Sequence, residues 1–342
     1  MTISAVSARL DRPMTAFVPR RLMRNGHLQT LAGNFLPRSA VLPTPEAGLV
    51  EVVPAQADLP ASRVLCHSHW QPDGAKKTVL LLHGLEGSSN SQYMRGNAAR
   101  FCAAGWNVVR MNMRNCGGTE QESPTLYHSG LSQDVNAVMQ HFDRTKGATR
   151  WALVGYSMGG NLVLKLAGEL GESARQRILA VAGVSAVIDL GPSADALHEP
   201  LNRIYEWKFL RGLIKRYARK CELFPGLFDP LRCRNIHSIR NFDEHVMAPN
   251  CGFAGADDYY YHAASARVVD RIAVPTLVLH AADDPFIRLL PRTRELLLDN
   301  PHVDFMETPH GGHCAFLASA VGYDGYWAEH CLFNFINAQA GF

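Results

Sequence analysis

The sequence predicts an α/β fold with a mostly parallel central sheet, helices on both of its faces and a helical insertion. Three observations carry that prediction. First, residues 78–82, 151–154, 178–185 and 276–280 are short, nearly continuous apolar runs, the pattern of strands buried on both faces. Second, helix-patterned segments alternate with these runs through the first half of the chain, as crossover connections require. Third, the alternation stops over residues 189–250, where no strand-like run occurs.

Composition narrows the class. The 342 residues suffice for one large α/β domain or two smaller ones, and 47% hydrophobic against 19% charged residues is a globular balance. A net charge of +3 is too mild to argue for nucleic acid. No apolar run reaches the roughly 18 residues of a membrane span. Residues 1–24 lack the apolar core, about 7–15 residues long, of a signal peptide. A cytoplasmic location is therefore expected. The eight cysteines are scattered with no C-x-x-C pair, which fits free thiols in a reducing compartment. Cys66-His67-Ser68-His69 alternates across a strand and has no second ligand cluster, so no metal is assigned to it.

In order, residues 1–48 are rich in proline and arginine and read as an irregular arm across the body. Residues 49–53, 63–70 and 78–82 read as strands, 90–104 as a helix ended by Gly105, and 106–112 as the next strand. Ser129 is placed to cap a helix to about Arg144, with Leu131, Val135, Val138, Met139 and Phe142 on one face. The strand 151–154 and a helix from Asn161 to Leu170 follow, then strand 178–185. Residues 189–250 read as a helical cap, and 49–188 with 251–342 as the body. Within the cap, residues 201–220 set Trp207, Leu210, Ile214 and Tyr217 on one face beside Lys208, Arg211, Lys215 and Arg219. A cap helix with a solvated edge is the favoured reading, and transient contact with a membrane surface the second. A short helix begins at Asp257. A strand at 276–280, a helix at 291–298, a strand at 303–307 and a closing helix over 322–338 complete the chain.

The chemistry centres on Gly155-Tyr156-Ser157-Met158-Gly159, a G-x-S-x-G between strand and helix. The tight turn lifts the Ser157 hydroxyl out of the sheet and needs neighbours without a Cβ. It leaves the Met158 N–H free to hold an oxyanion. His83-Gly84-Leu85-Glu86-Gly87 follows another strand, where this arrangement draws its second oxyanion N–H, assigned to Leu85. A serine nucleophile needs a base, and the base an orienting acid, in the order serine, acid, histidine. His310-Gly-Gly-His313 follows the last strand and offers two histidines; His313 is the expected base and His310 a residue that holds the loop. Asp283-Asp284 follows the strand before it; Asp284 is the expected acid and Asp283 the reserve.

Together these residues resemble the YheT-like branch of the α/β-hydrolase family, which includes abhydrolase-domain phospholipases and monoacylglycerol lipases. The resemblance covers nearly the whole chain. Its most specific parts are Asn25-Gly-His-Leu-Gln-Thr30 and Asp257-Asp-Tyr-Tyr260, beside His83–Ser89, Met113–Gly118, Leu126–Gly130, Gly155–Asn161, Ala282–Phe286 and His310–His313. Gly26 stands where that family usually has proline, and Asn115 where it often has glycine. The resemblance implies the α/β-hydrolase fold and a Ser157, Asp284, His313 triad. It also implies hydrolysis of carboxylic esters, among them short- or medium-chain acyl esters, acylglycerols or phospholipids, with no metal or organic cofactor. Acyl transfer by the same triad and a non-catalytic binding scaffold are the alternatives. The sequence sets no oligomeric state.

Overall fold

Strands that are apolar on both sides need cover on both sides, and the chain supplies it in layers. The computed structural model describes residues 16–38, 41–72 and 77–341. The parts of the arm at residues 1–15 and 39–40 lie outside the described residues. The strands are β1 (Glu46–Val53), β2 (Ser62–His69), β3 (Lys77–Leu82), β4 (Asn107–Met111), β5 (Arg150–Tyr156), β6 (Ile178–Val184), β7 (Thr276–Ala281) and β8 (Val303–Thr308). They form one sheet in the order β1-β2-β4-β3-β5-β6-β7-β8. β1 and β2 pair antiparallel, as do β2 and β4, and the remaining neighbours run parallel.

The helices are α1 (Gly26–Phe35), α2 (Gln92–Ala103), α3 (Ser132–Lys146), α4 (Met158–Leu170), α5 (Leu190–Leu197), α6 (Arg203–Leu223), α7 (Ile239–Phe242), α8 (Ala248–Cys251), α9 (Ala256–Ala263), α10 (Pro291–Asp299) and α11 (Trp327–Gln339). Alternate side chains of each strand serve opposite faces. Val79 and Leu81 join Phe101 of α2 and Trp327 and Phe335 of α11 in one core. Leu80 and Leu82 join Val138 and Phe142 of α3 and Leu164 of α4 in the other. Between β6 and β7 the described chain forms α5 to α9, with a π-helical turn at Asp243–Met247, and no strand.

Four local expectations are corrected. The arm is not irregular throughout, because α1 lies within it. The Asn25 side chain caps that helix by accepting the Leu28 N–H at 3.1 Å. Ser129 is not a helix cap: its N–H donates to the Tyr259 hydroxyl at 3.0 Å, and α3 starts at Ser132. The closing helix starts at Trp327, since Gly322 and Gly325 take left-handed φ values of 76° and 84° that a helix cannot contain. Finally, the side of α6 that carries Trp207, Leu210 and Tyr217 is not buried along its whole length. Leu210 and Tyr217 are buried and Trp207 is exposed.

Candidate active site

Each candidate residue sits just past the C-terminal end of a strand, where an open parallel sheet leaves a crevice. Ser157 follows β5 with φ 55° and ψ −118°, a conformation costly for a residue with a Cβ. The fold enforces it by close packing. A Cβ on Gly155 would lie 2.1 Å from the Gly159 carbonyl oxygen, and one on Gly159 would lie 2.4 Å from the His83 carbonyl oxygen. The Ser157 N–H is anchored on the Val184 carbonyl at 2.9 Å. Its hydroxyl faces a mainly apolar cavity also lined by Leu85, Met158, Phe286 and Ile287.

The loop after β3 approaches from the other side. A Cβ on Gly84 would lie 3.0 Å from Ser157 Cβ, so any larger residue there would press on the serine. His83 ties this loop down. Its Nε2 accepts the Met113 N–H at 3.1 Å, which leaves Nδ1 to donate to the Gly84 carbonyl at 2.8 Å. Burial pushes His83 down to about 4, so it stays neutral and serves as a brace. Neither Leu85 nor Met158 donates its backbone N–H to an acceptor among the described residues, and Met158 opens α4. Both donors therefore remain available at the cavity wall.

His313 Nδ1 lies 2.8 Å from Asp284 Oδ2, so Nδ1–H donates to the carboxylate and Nε2 is left able to accept a proton. Asp284 Oδ1 accepts the Phe286 and Ile287 N–H groups at 3.1 and 2.9 Å. Burial alone would raise the Asp284 pKa; His313 and the Ile287 N–H outweigh it and hold the carboxyl low. For His313, burial disfavours the cation, but the Cys314 sulfur and the Asp284 carboxylate outweigh it and raise the pKa. The His313–Asp284 pair is thus formed. Ser157 Oγ makes no hydrogen bond among the described residues, and such contacts commonly tighten only with substrate bound. Asp283 plays a different part. Its Oδ1 accepts the Gly312 N–H at 2.8 Å, and His310 Nδ1 lies 3.4 Å from its Oδ2.

Three supports were not legible as site residues. From α1, Thr30 Oγ1 accepts the His313 N–H at 2.8 Å, and Gln29 Oε1 accepts the Leu317 N–H at 2.8 Å. A Cβ on Gly26 would lie 1.9 Å from the Asp283 carbonyl oxygen, so α1 abuts both the acid and the base loops. The Asn25–Thr30 motif carried this signal without saying what it touched. From α6, Arg216 pairs with Glu86, the residue after Leu85, at 3.2 Å; the Tyr127 hydroxyl donates to the same carboxylate at 2.6 Å. In the cavity wall, Asp243 accepts the Tyr260 hydroxyl at 2.7 Å, and burial pushes its carboxyl up to about 7. One acid of the Asp243-Glu244 pair in an irregular stretch gave no sequence signal for it. Asn115 takes φ 62°, which explains why glycine suits that position and asparagine tolerates it.

A family model described as the alpha/beta hydrolase fold matches residues 77–228. The chain is 31% identical over 328 residues to YheT of Escherichia coli (strain K12), whose name assigns it provisionally to the esterases; the match covers 92% of this chain and 90% of YheT. It is 28% identical over 267 residues to phospholipase ABHD3 of Mus musculus, covering 78% of this chain and 63% of that protein. Among solved structures, Pyrococcus furiosus esterase Pf2001 superposes with a TM-score of 0.56 at 16% identity, covering 89% of this chain and 97% of that one, a likeness of fold. The chain belongs to the α/β-hydrolase family, in the carboxylic ester hydrolase branch to which YheT is assigned. No helix among the described residues is long and apolar enough to cross a membrane.

Proposed function

We propose that this ester hydrolase works through Ser157, His313 and Asp284 by way of an acyl-enzyme, on short- or medium-chain acyl esters that include acylglycerols or phospholipids. The reading rests above all on the 2.8 Å contact between Asp284 and His313 at the ends of β7 and β8, beside the left-handed serine turn after β5. His313 Nε2 takes the Ser157 proton as Oγ attacks the ester carbonyl. The Leu85 and Met158 N–H groups hold the oxyanion, each worth about 3–4 kcal/mol of the barrier. His313 then returns the proton to the leaving alcohol, and water repeats the sequence to free the acid. Asp284 keeps the imidazole in the tautomer that both steps need. Residues 189–250 act as a cap that closes the apolar cavity over the acyl chain. The mainly apolar lining and the lipase and phospholipase relatives favour a lipid-like ester. Eight free cysteines suit a cytoplasmic setting.

The test is fluorophosphonate labelling and p-nitrophenyl butyrate turnover of the intact chain. Ser157→Ala is expected to fold normally, lose labelling and lose turnover by roughly 10⁴-fold or more. A Ser157→Ala protein that still hydrolyses the ester ends the proposal.

A further inference from the structure

Six large apolar side chains stand exposed on two helices that meet at the surface. α1 packs Gly26, Gln29 and Gly33 inward and turns Leu28, Leu31 and Phe35 outward; Phe35 is 72% exposed. The spacing of three and four makes those three one stripe. The start of α6 does the same. Leu201, in the 3-10 turn before it, is 80% exposed, Ile204 68% and Trp207 61%. Single exposed apolar residues need no explanation, but adjoining stripes of them do. The two helices are joined where His27 Nδ1 and the Tyr205 hydroxyl share a hydrogen bond of 3.1 Å with their rings stacked. Leu28 and Ile204 are each next in sequence to that joining pair.

The charge around the stripes is mostly positive; Glu199, two residues before Leu201, is exposed and paired with Arg288 at 3.1 Å. Arg20, Arg21 and Arg24 precede α1, and no acidic residue occurs from position 16 to 45. On α6, Lys208, Arg211 and Lys215 are exposed and have no acidic partner within ion-pair distance among the described residues. The Arg211 guanidinium instead lies 5.4 Å from the centre of the Trp207 ring. The one acid in that part of α6, Glu206, is buried and committed to His198 and the Ile239 N–H.

We infer that this two-helix face docks on an anionic lipid–water surface. The apolar side chains enter the boundary between head groups and acyl chains, and the cations meet lipid phosphates. A second copy of the chain fits worse. A two-fold interface sets a patch against itself and would press Lys208 and Arg211 toward their own copies. The face also lies close to the chemistry. Tyr205 packs on Phe286 at 5.3 Å between ring centres, and Phe286, which lines the cavity, packs on His313 at 4.4 Å. The inference draws its purpose from the lipid-ester reading, but its test requires no turnover.

Flotation of the full chain with vesicles of phosphatidylcholine and phosphatidylglycerol, against phosphatidylcholine alone, decides it. Binding to the mixed vesicles and release by added salt are expected, and Ser157→Ala should bind equally. Replacing Lys208 and Arg211 together by glutamine should lower partitioning roughly thirtyfold, the factor for two lost attractions to an anionic surface. Leu28→Ser with Leu31→Ser and Phe35→Ser, and separately Ile204→Ser with Trp207→Ser, should each abolish flotation while thermal unfolding stays unchanged. Absence of binding to anionic vesicles overturns the inference. So does binding that survives all three variant sets, or a dimer in solution that the serine variants dissolve.

Discussion

Ser157 and His313, the proposed nucleophile and base, are held in different ways. The conformation of Ser157 is set mainly by its own neighbours, a strand, a turn of packed glycines and a helix, with its N–H anchored on Val184 of the adjacent strand. His313 is fixed from far away. Its N–H rests on Thr30, 283 residues earlier, and the preceding Gly312 N–H rests on Asp283. A residue set by local backbone geometry leaves a motif. A residue set by remote packing leaves only scattered small or polar positions whose purpose appears when the chain is folded.

Mutation can separate the two modes of support, and the largest effect is expected at the acid. Asp284→Asn removes the carboxylate that sets the His313 tautomer, and turnover should fall by about 10⁴-fold with the fold intact. The same contact predicts a pH profile. Only neutral His313 accepts the serine proton, and the Cys314 sulfur and Asp284 outweigh burial to raise its pKa. Ester turnover should therefore drop as pH falls, with the midpoint of that limb above 6.5, and the residual activity of Asp284→Asn should show the midpoint moved down. A wild-type midpoint below 6.5 would contradict the assigned electrostatics.

Next is the remote brace. Thr30→Val leaves the His313 N–H without its acceptor, at a cost of about 1–3 kcal/mol. It should lower kcat by roughly tenfold or more with KM little changed, and Thr30→Ser should restore it. If Thr30→Val keeps full kcat, the base does not depend on α1 and the contrast with Ser157 disappears. The smallest effect is expected on the oxyanion side. Arg216→Met frees Glu86 from α6, but His83 and Tyr127 still hold that loop. A loss of several-fold in kcat, measured on a soluble ester, is the expected outcome.

What could be read in advance follows the same division. The parallel sheet, the serine turn and the choice of Asp284 over Asp283 follow from apolar runs and positions counted from strand ends. The structure gives Asp284 the contact with His313 and leaves Asp283 to hold Gly312. α1 escaped because its amphipathicity is inverted: it buries two glycines and a glutamine and exposes leucines, so no apolar period points inward. Ser129 misled because a serine before a helix pattern resembles a cap, whereas the helix begins three residues later, at Ser132, beyond the reach of its hydroxyl as an N-cap. Arg216 and Asp243 carried no local sign at all. Their partners Glu86 and Tyr260 lie 130 and 17 residues away in sequence.

The hydrogen bond from the His313 backbone to Thr30 also orders events during synthesis. The helix that carries Thr30 emerges early and must wait for nearly all of the intervening polypeptide before its counterpart exists. Until then His313, the proposed proton acceptor, has no seat. On the proposed triad, a partly made chain is chemically silent by its topology, without any inhibitor to remove.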